Sequence, residues 1–235
     1  LLAPRVPSAK PMAMQTRITV ISDTHCRHAE LDLPPGDLLI HCGDMFDLFS
    51  KMPQRLFSRT PDRIAAMDAW FGRQRFDRIL CIGGNHDREL ETALGRQPQP
   101  FRNAHFLHDE TVDYRGLKIH GASWVPFLPS HAFFKGPAAL ADAWALVPPG
   151  IDILVTHTPP QGILDASRGG QSLGCPALAD ELPRIAPRVH CFGHVHASVG
   201  QRKLGETLFI NAASIQSGTG KLLPPVNLTL TSHPS

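Results

Sequence analysis

The strongest constraint on the fold of this chain is a set of acid- and histidine-containing segments, each placed directly after an apolar, β-rich run. The five segments are Asp23-Thr24-His25, Gly43-Asp44, Gly84-Asn85-His86-Asp87, His157 and Gly193-His194-Val195-His196. In open α/β sheets, ligands gather outside the carboxyl ends of the strands. The pattern therefore predicts strands whose carboxyl ends bring these distant residues together at one rim of the protein.

The apolar periodicity predicts short strands and three helices around these segments. We predict strands over residues 17–22, 37–41, 78–82, 151–155, 189–192, 199–203, 207–211 and 226–230, and a hairpin over 111–114 and 117–120. We predict helices over residues 61–72, 137–146 and 176–182. Strand and helix patterns alternate early in the chain and strands dominate late, which is typical of a mixed α/β fold.

The sequence shows no linker and no internal repeat, so we interpret residues 17–235 as a single domain. Residues 1–16 are rich in Pro and Ala and contain no apolar signal-peptide core, and we interpret them as a leader or a disordered tail. No run approaches the roughly 18 apolar residues of a membrane span. The 23 basic and 21 acidic side chains give no reason to expect a nucleic acid or a membrane surface as a partner.

The cysteine content indicates the compartment. The chain has five cysteines and no Cys-x-x-Cys motif. An odd count without a signal peptide favours a reduced, cytoplasmic protein over a disulfide framework. Four of the five lie at or just beyond apolar runs, where cysteine acts as a small hydrophobic residue.

The donor atoms of the five segments suit metal ions. Carboxylate oxygen and imidazole nitrogen bind first-row divalent metals such as Mn²⁺, Fe²⁺ and Zn²⁺. The segments supply seven donors, which are Asp23, His25, Asp44, Asn85, His157, His194 and His196. Seven ligands exceed one tetrahedral site, whereas one bridging carboxylate gives two sites four protein ligands each. This is the composition of a two-metal hydrolytic centre, whose ions lie about 3.5–4 Å apart.

The spacing within the segments makes a local prediction. Residues i and i+2 of a strand point to the same side, so we expect Asp23 and His25 to bind one ion together. The same spacing predicts a shared ion for His194 and His196. The glycines are expected to let the backbone turn sharply, so that the side chains reach inward.

Taken together, the five segments resemble the full signature of the calcineurin-like metallophosphoesterases, and they extend from residue 23 to residue 196. The resemblance implies an α/β fold in the form of a four-layer αββα sandwich, with two mixed β-sheets flanked by helices and a dinuclear metal site at the strand carboxyl ends. Residues 21–25, 121–124, 150–154, 156–162 and 209–213 further resemble the metallophosphoesterase-domain branch of this superfamily. That branch is associated with phosphodiesterase activity, including activity on cyclic nucleotides.

The resemblance also implies which residues hold each metal. The first metal would be bound by Asp23, His25, Asp44 and His196. The second would be bound by Asp44, Asn85, His157 and His194, so that Asp44 bridges the two ions. The metals would be two divalent ions, with Mn, Fe and Zn as the alternatives.

Two residues of the third segment are predicted to be catalytic. His86 is not a ligand in this scheme, and we expect it to stabilise the transition state or to protonate the leaving alkoxide. Asp87 is expected to hold the imidazole of His86 in orientation. A further carboxylate, Asp47, is interpreted either as a partner of a ligand histidine or as a turn or cap residue.

Three residues are candidates for substrate contacts. Trp124 and Phe127 either line the pocket and stack on a base or aryl group, or pack in the core. Arg168 lies in the Gly-rich stretch after His157 and is interpreted as part of a substrate loop.

The function predicted from the sequence is metal-dependent hydrolysis of small phosphodiesters, cyclic nucleotides among them, through a two-metal centre and a bridging hydroxide. The alternatives are a phosphomonoesterase of broad specificity, a nuclease and a non-catalytic metal-binding scaffold. The expected partner is a small phosphoester substrate and not a nucleic acid or a membrane, and a homodimer is one alternative for the oligomeric state.

Overall fold

The strands assemble into two mixed sheets. The structure, a computed structural model, describes residues 14–47 and 61–232. In spatial order, the five strands of the first sheet are β11 (Val226–Thr231), β1 (Gln15–Ile21), β2 (Gly36–His41), β3 (Phe76–Cys81) and β4 (His105–Phe106). The six strands of the second sheet are β5 (Glu110–Tyr114), β6 (Leu117–Ala122), β7 (Ile153–Thr156), β8 (Val189–Phe192), β10 (Thr207–Asn211) and β9 (Gly200–Leu204).

The pairing directions place the strand ends. In the first sheet, β1, β2, β3 and β4 are parallel and β11 pairs with β1 antiparallel. In the second sheet, β6, β7, β8 and β10 are parallel, and β5 and β9 are the antiparallel edge strands. Ser22, directly after β1, forms a parallel bridge with Ala213, two residues after the end of β10. The two sheets therefore meet at the edge where their parallel strands end.

An apolar layer fills the space between the sheets. Both sheets contribute fully buried residues, including Val20, Ile40 and Leu80 from the first and Ile119, Val155 and Cys191 from the second. Parallel strands that are buried on both faces read as continuous apolar runs, which is why the periodicity located them. The two sheets therefore share one core.

Helices cover the outer faces of both sheets. The helices are α1 (Pro61–Phe71), α2 (Arg88–Leu94), α3 (Pro137–Ala145) and α4 (Pro176–Ile185). Met67 of α1 and Leu90 of α2 pack on the first sheet, and Trp144 of α3 and Leu178 of α4 pack on the second. The four-layer αββα sandwich is confirmed. Among the described residues, no helix has the length and apolar character needed to cross a bilayer.

The structure corrects the sequence prediction at four places. Strand β1 begins at Gln15, before the predicted domain boundary, because Thr16 is buried and pairs with Leu230. Helix α4 continues past Pro183 because Ile185 is fully buried in the core. Helix α2 and strand β4 were not predicted, since α2 buries only Leu90 and β4 has two residues.

Candidate metal centre

The predicted donors lie in the loops that follow β1, β2, β3, β7 and β8. The donor atoms form three groups, and within each group all atoms lie within 4.8 Å of one another. The first group is Asp23, His25 and His196, and the second is Asp44, His157 and His194. The third group is His25, Asp44 and His86. Every donor predicted from the sequence, except the amide residue Asn85, belongs to one of these groups. Asn85 joins the second group through its side-chain oxygen, which lies 3.0 Å from His157 Nε2 and 2.8 Å from His194 Nδ1.

The first group surrounds the buried carboxylate of Asp23. His196 Nε2 lies 3.3 Å from Asp23 Oδ1 and 3.2 Å from His25 Nε2. The backbone N–H of His194 donates to both oxygens of the same carboxylate, at 3.1 and 2.9 Å. Asp23 therefore connects the loop after β1 with the loop after β8.

Asp44 lies between the first two groups. Its Oδ1 atom is 3.4 Å from His157 Nε2, on the side of the second group. Its Oδ2 atom is 4.0 Å from His25 Nε2, on the side of the first group. The Asp44 residue is 1% exposed, so this carboxylate is buried with histidine nitrogens on both sides. Such a position suits a bridging ligand.

Three of the histidines are oriented by backbone carbonyl groups. The Nδ1 atoms of His25, His157 and His196 contact the carbonyl oxygens of Phe46 (3.1 Å), Cys42 (2.8 Å) and Ile215 (2.7 Å). A carbonyl oxygen only accepts, so each Nδ1 atom carries the proton and, in the neutral ring, Nε2 carries the lone pair. This second hydrogen bond fixes the tautomer in which Nε2 is free to bind a metal.

The Nε2 atoms of His25 and His196 face each other, and their short distance indicates whether the site fits a cation. With both Nδ1 atoms protonated, two neutral rings would direct Nε2 lone pairs at each other across 3.2 Å. Such a contact is repulsive unless a proton or a metal ion lies between the rings. The donor set, with two buried carboxylates and four imidazoles, therefore fits divalent metals.

Strand geometry does not explain the spacing of the donors, although Asp23 and His25 do belong to one donor group as predicted. Asp23 and His25 lie beyond the last residue of β1, and both adopt left-handed backbone conformations, with φ of 52° and 42°. His194, with φ of 68°, and His196 belong to different donor groups and do not share one. Left-handed residues other than glycine are uncommon, and they concentrate at functional sites.

The expectation that the glycines make the sharp turns holds for Gly43 only, which has φ of +92°. Gly84 and Gly193 have no such φ and instead provide room. A Cβ atom at Gly84 would collide with the Asp44 carboxylate, and one at Gly193 would collide with the Asp23 carboxylate and with Ser22. These glycines allow the backbone to approach the donors closely.

We predict that Gly193→Ala weakens metal binding while leaving a folded protein. The added methyl group would push the Asp23 carboxylate away from His196, and displacement of a ligand lowers metal affinity by about 10–100-fold. Overpacking of this kind also destabilises a fold by about 1–3 kcal/mol. Metal content after dialysis and the thermal midpoint measure both effects. Gly136→Ala is the control because no atom lies within 4 Å of its Cβ position, and equal metal retention in the two variants would contradict the prediction.

Without metal ions, two of the candidate ligand histidines, His25 and His157, bind protons more tightly than usual. Burial disfavours a charged His25 ring, but the hydrogen bond to Asp47 and the charge of Asp44 outweigh it and raise the pKa of His25 to about 10. Burial likewise opposes the charge on His157, and the facing Asp44 carboxylate raises the pKa of that ring to about 9. The charge on His157 in turn overcomes the effect of burial on Asp44 and lowers the pKa of that carboxyl to about 2.

We predict that metal binding at neutral pH releases a proton from each of these two rings. Because His25 and His157 titrate at about 10 and about 9, both are charged at pH 7 and must lose their protons to become ligands. Metal affinity should therefore rise with pH. In the metal-free protein, the charged rings stabilise the fold fully below pH 6.5, and this stability is lost as pH rises to about 9 and 10. Calorimetric titration with Mn²⁺ in buffers of different ionisation enthalpy measures the release, and a pH-independent affinity would contradict it.

Comparison with known proteins gives the family. The sequence model of the Calcineurin-like phosphoesterase family matches residues 16–198, which is most of the chain. The chain belongs to the calcineurin-like phosphoesterase family. Metallophosphoesterase domain-containing protein 1 from Homo sapiens is 31% identical over 241 residues, an alignment that covers 92% of this chain and 71% of the human protein.

Solved structures show the same fold at low sequence identity. One has a TM-score of 0.63 with 16% identity and covers 94% of this chain and 100% of its own. Phosphopantetheinyl Hydrolase (PptH) from Mycobacterium tuberculosis has a TM-score of 0.52 with 16% identity, over 83% of this chain and 88% of that chain. The protein is thus a hydrolase of the metallophosphoesterase superfamily, whose members bind divalent metals at His/Asp sites such as the one described here.

His86 lies beside the Asp44 carboxylate. Its Nε2 atom is 3.8 Å from Asp44 Oδ2, and its ring meets the ring of His25 edge-on at a centroid distance of 4.8 Å. The side chain is 28% exposed. Burial lowers the pKa of His86. The ring is therefore at the donor groups and still reachable from solvent.

Asp87 is hydrogen-bonded to the backbone next to two candidate donors, Asp44 and Asn85. The Asp87 carboxylate is fully buried and accepts hydrogen bonds from the backbone N–H groups of Gly84 (2.9 Å), Met45 (3.2 Å) and Phe46 (2.9 Å). Burial and the charge of Asp44 raise the pKa of Asp87 to about 7. These hydrogen bonds join the loops after β2 and β3, so Asp87 helps to position Asp44 and Asn85. Its role in orienting the His86 ring stays a prediction.

The alternative for Asp47 in which it partners a ligand histidine is supported. Its Oδ1 atom lies 3.1 Å from His25 Nδ1, which is also 3.1 Å from the carbonyl oxygen of Phe46. A carboxylate on the outer nitrogen of a metal-binding imidazole orients the ring and raises its basicity.

The three candidates for substrate contacts lie at different places in the structure. Arg168 lines a cavity of about 570 Å³ together with His194 and His196. Trp124 lines a different cavity that contains none of the predicted ligands, and its Nε1 donates to Asp109 at 2.6 Å. Phe127 is 62% exposed, so the alternative in which it packs in the core is wrong.

Sequence reasoning missed Asn211 as a positioning residue. This residue ends β10, is fully buried, and donates through Nδ2 to the carbonyl oxygens of Val195 (2.9 Å) and Leu164 (3.2 Å). It thereby holds the loop that carries His194 and His196. A polar residue that ends an otherwise apolar strand was the available signal.

Proposed function

We propose that the protein is a metal-dependent phosphodiesterase that hydrolyses small phosphodiesters, cyclic nucleotides among them, with two divalent ions. The observation that carries the proposal is the buried Asp44 carboxylate, which faces His157 on one side and His25 on the other. Asp23, His25, Asp44 and His196 would hold one ion, and Asp44, Asn85, His157 and His194 the other. Mn, Fe and Zn all suit this mixture of oxygen and nitrogen ligands.

Two ions bound at such a site would supply a nucleophile from water at neutral pH and balance the charge of a phosphate. The chain itself contributes two carboxylates, Asp23 and Asp44, and otherwise neutral ligands. Against two divalent ions this leaves a net positive charge, which attracts an anionic phosphodiester and favours its more negative transition state.

His86 is the group that the chain offers to the leaving oxygen. Because burial lowers the pKa of His86, the ring is mainly neutral at pH 7 and carries one N–H. We therefore infer that it donates a hydrogen bond to the oxygen on which negative charge develops. Asp87 is proposed to act indirectly, by positioning Asp44. Its carboxylate accepts hydrogen bonds from the N–H groups of Met45 and Phe46, in the loop that follows Asp44.

The proposal is tested with a substrate panel and a metal analysis on the same preparation. Protein reconstituted separately with Mn²⁺, Fe²⁺ or Zn²⁺ is assayed on bis(p-nitrophenyl) phosphate, p-nitrophenyl phosphate and the 2′,3′- and 3′,5′-cyclic nucleotides. We expect two ions per chain and a higher kcat/KM for the diester. A higher kcat/KM for the monoester would make the protein a phosphomonoesterase, and two bound ions without turnover would make it a scaffold.

We also propose that the protein acts in the cytoplasm on a small-molecule substrate. The cysteines support this: all five are free, and Cys42, Cys81, Cys175 and Cys191 are buried as small core residues. The homodimer stays a prediction, and light scattering of the metal-loaded protein tests it.

A further inference from the structure

A cavity lies beside the candidate metal centre, on the His196 side. It has a volume of about 570 Å³ and is lined by Ser167, Arg168, His194, His196, Gln216 and Ser217. Its walls are the loops after β7 and β8 and the turn after β10. The cavity that contains His86 is a different one, lined by Asp47, Ile64 and Arg88 among others. The two cavities approach the donors from different sides.

The loop that carries Arg168 is held by hydrogen bonds around Asp165. The buried Asp165 carboxylate accepts from the N–H groups of Gly162 (2.9 Å) and Gly174 (3.2 Å) and from the hydroxyl of Ser172. The Ser198 hydroxyl donates to the carbonyl oxygen of Ala166 at 2.7 Å, which fastens the loop to the turn that follows His196. Arg168 is thus presented by an ordered loop.

The Arg168 guanidinium lies against Gly218 and carries an unneutralised charge. A Cβ atom at Gly218 would be 2.6 Å from Arg168 Nη1, so the glycine leaves room for the guanidinium. Within residues 14–47 and 61–232, no carboxylate lies at ion-pair distance from it and no acceptor bonds to it. The side-chain oxygen of Gln216 accepts a hydrogen bond from the Thr219 hydroxyl. The NH₂ group of Gln216 has no hydrogen-bond partner among residues 14–47 and 61–232. Cation and amide donor line the same cavity.

We infer that this cavity is an anion subsite, in which Arg168 and Gln216 bind a second negatively charged group of the substrate, a carboxylate or a phosphate. The inference rests on the proposed function and specifies its substrate class. A guanidinium binds carboxylate and phosphate in a bidentate manner, and Arg168 has its donors available for this. His86, the proposed partner of the leaving oxygen, lines the other cavity. The subsite therefore takes the ester group that stays on the phosphorus atom.

The first test compares two diesters with the same leaving group. Ethyl p-nitrophenyl phosphate and 2-carboxyethyl p-nitrophenyl phosphate differ only by a carboxylate on the retained group. We expect the wild-type protein to show a kcat/KM about tenfold higher for the carboxyethyl ester, because its carboxylate can form a charge-assisted hydrogen bond with the guanidinium. Arg168→Ala should abolish this preference by raising the KM of the carboxyethyl ester, whereas Arg202→Ala, which replaces an exposed arginine on β9, should keep it.

Two glycine variants test the position of the guanidinium separately from its charge. Gly218 and Gly220 lie in the same turn with φ of +84° and +67°, so alanine introduces comparable backbone strain at both. Only at Gly218 would the new methyl group meet Arg168, because nothing lies within 4 Å of a Cβ at Gly220. Gly218→Ala should reduce the preference for the carboxyethyl ester, and Gly220→Ala should retain it.

Sulfate binding to the metal-free protein keeps the inference separate from the proposed function. We expect calorimetry to show sulfate binding that Arg168→Ala removes and Arg202→Ala retains, even if neither ester is hydrolysed. An equal loss of kcat/KM on both esters in Arg168→Ala, no ester preference in the wild-type protein, or sulfate binding unchanged by Arg168→Ala would each overturn the subsite. Failure of hydrolysis with intact, Arg168-dependent sulfate binding would instead overturn only the proposed phosphodiesterase activity.

Discussion

Replacement of Asp44 by alanine is expected to prevent stable binding of both metal ions and to remove nearly all turnover. Asp44 lies between the group around Asp23 and the group around His157, with Oδ1 3.4 Å from His157 Nε2 and Oδ2 4.0 Å from His25 Nε2. Its loss deprives each site of an anionic ligand. Charge stabilisation by a metal is worth several kcal/mol, so we expect kcat/KM to fall by roughly 10³–10⁵-fold.

Metal content and turnover are measured together on Mn²⁺-reconstituted protein, with Asp142→Ala as the control. Asp142 is an exposed carboxylate on α3, so the control removes the same charge away from the site. The variant must also be shown to fold by circular dichroism, because its His157 ring loses its main counter-charge. Two ions retained by folded Asp44→Ala at wild-type affinity would mean that Asp44 does not bridge them.

Much of the fold was predictable because its strands are short and buried. Runs such as residues 38–40 and 153–155 are apolar throughout, which is how strands covered on both faces read. Strand β4 could not be predicted, because two residues carry no periodicity and their pairing with Leu80 and Cys81 arises from tertiary structure. Helix α2 escaped for a similar reason, since a seven-residue helix with one buried side chain has no apolar stripe.

The identity of the donors was predictable, whereas the geometry that gathers them was not. The prediction for Asp23 and His25 used strand alternation, but both residues lie in a loop with left-handed backbone conformations. Such conformations are imposed by surrounding contacts, for example the N–H of Asp23 donating to the carbonyl oxygen of Gly43 at 2.9 Å. The backbone N–H groups that the Asp87 carboxylate accepts from were likewise not predictable, because two of the three belong to the loop after β2, far away in sequence.

Replacement of His86 by alanine is expected to leave both metal ions bound and to lower kcat by about 10²–10⁴-fold, the usual contribution of general acid–base groups. In our assignment, His86 is no ligand of either ion, although its Nε2 atom lies only 3.8 Å from the Asp44 carboxylate. Metal analysis distinguishes the two roles. The control is His105→Ala, a histidine of β4 that contacts Glu110 at 2.8 Å and belongs to none of the donor groups.

The dependence on the leaving group tests the role of His86 more sharply than the loss of rate alone. If the ring assists the departing oxygen, its removal should harm substrates with a basic alkoxide leaving group far more than those that release p-nitrophenolate. A cyclic nucleotide and bis(p-nitrophenyl) phosphate provide this contrast, and we expect the larger loss on the cyclic nucleotide. Equal losses on both substrates would mean that His86 stabilises charge on the phosphate and does not assist the leaving oxygen. Loss of a metal ion from folded His86→Ala would instead make His86 a ligand, as its place in the group with His25 and Asp44 allows.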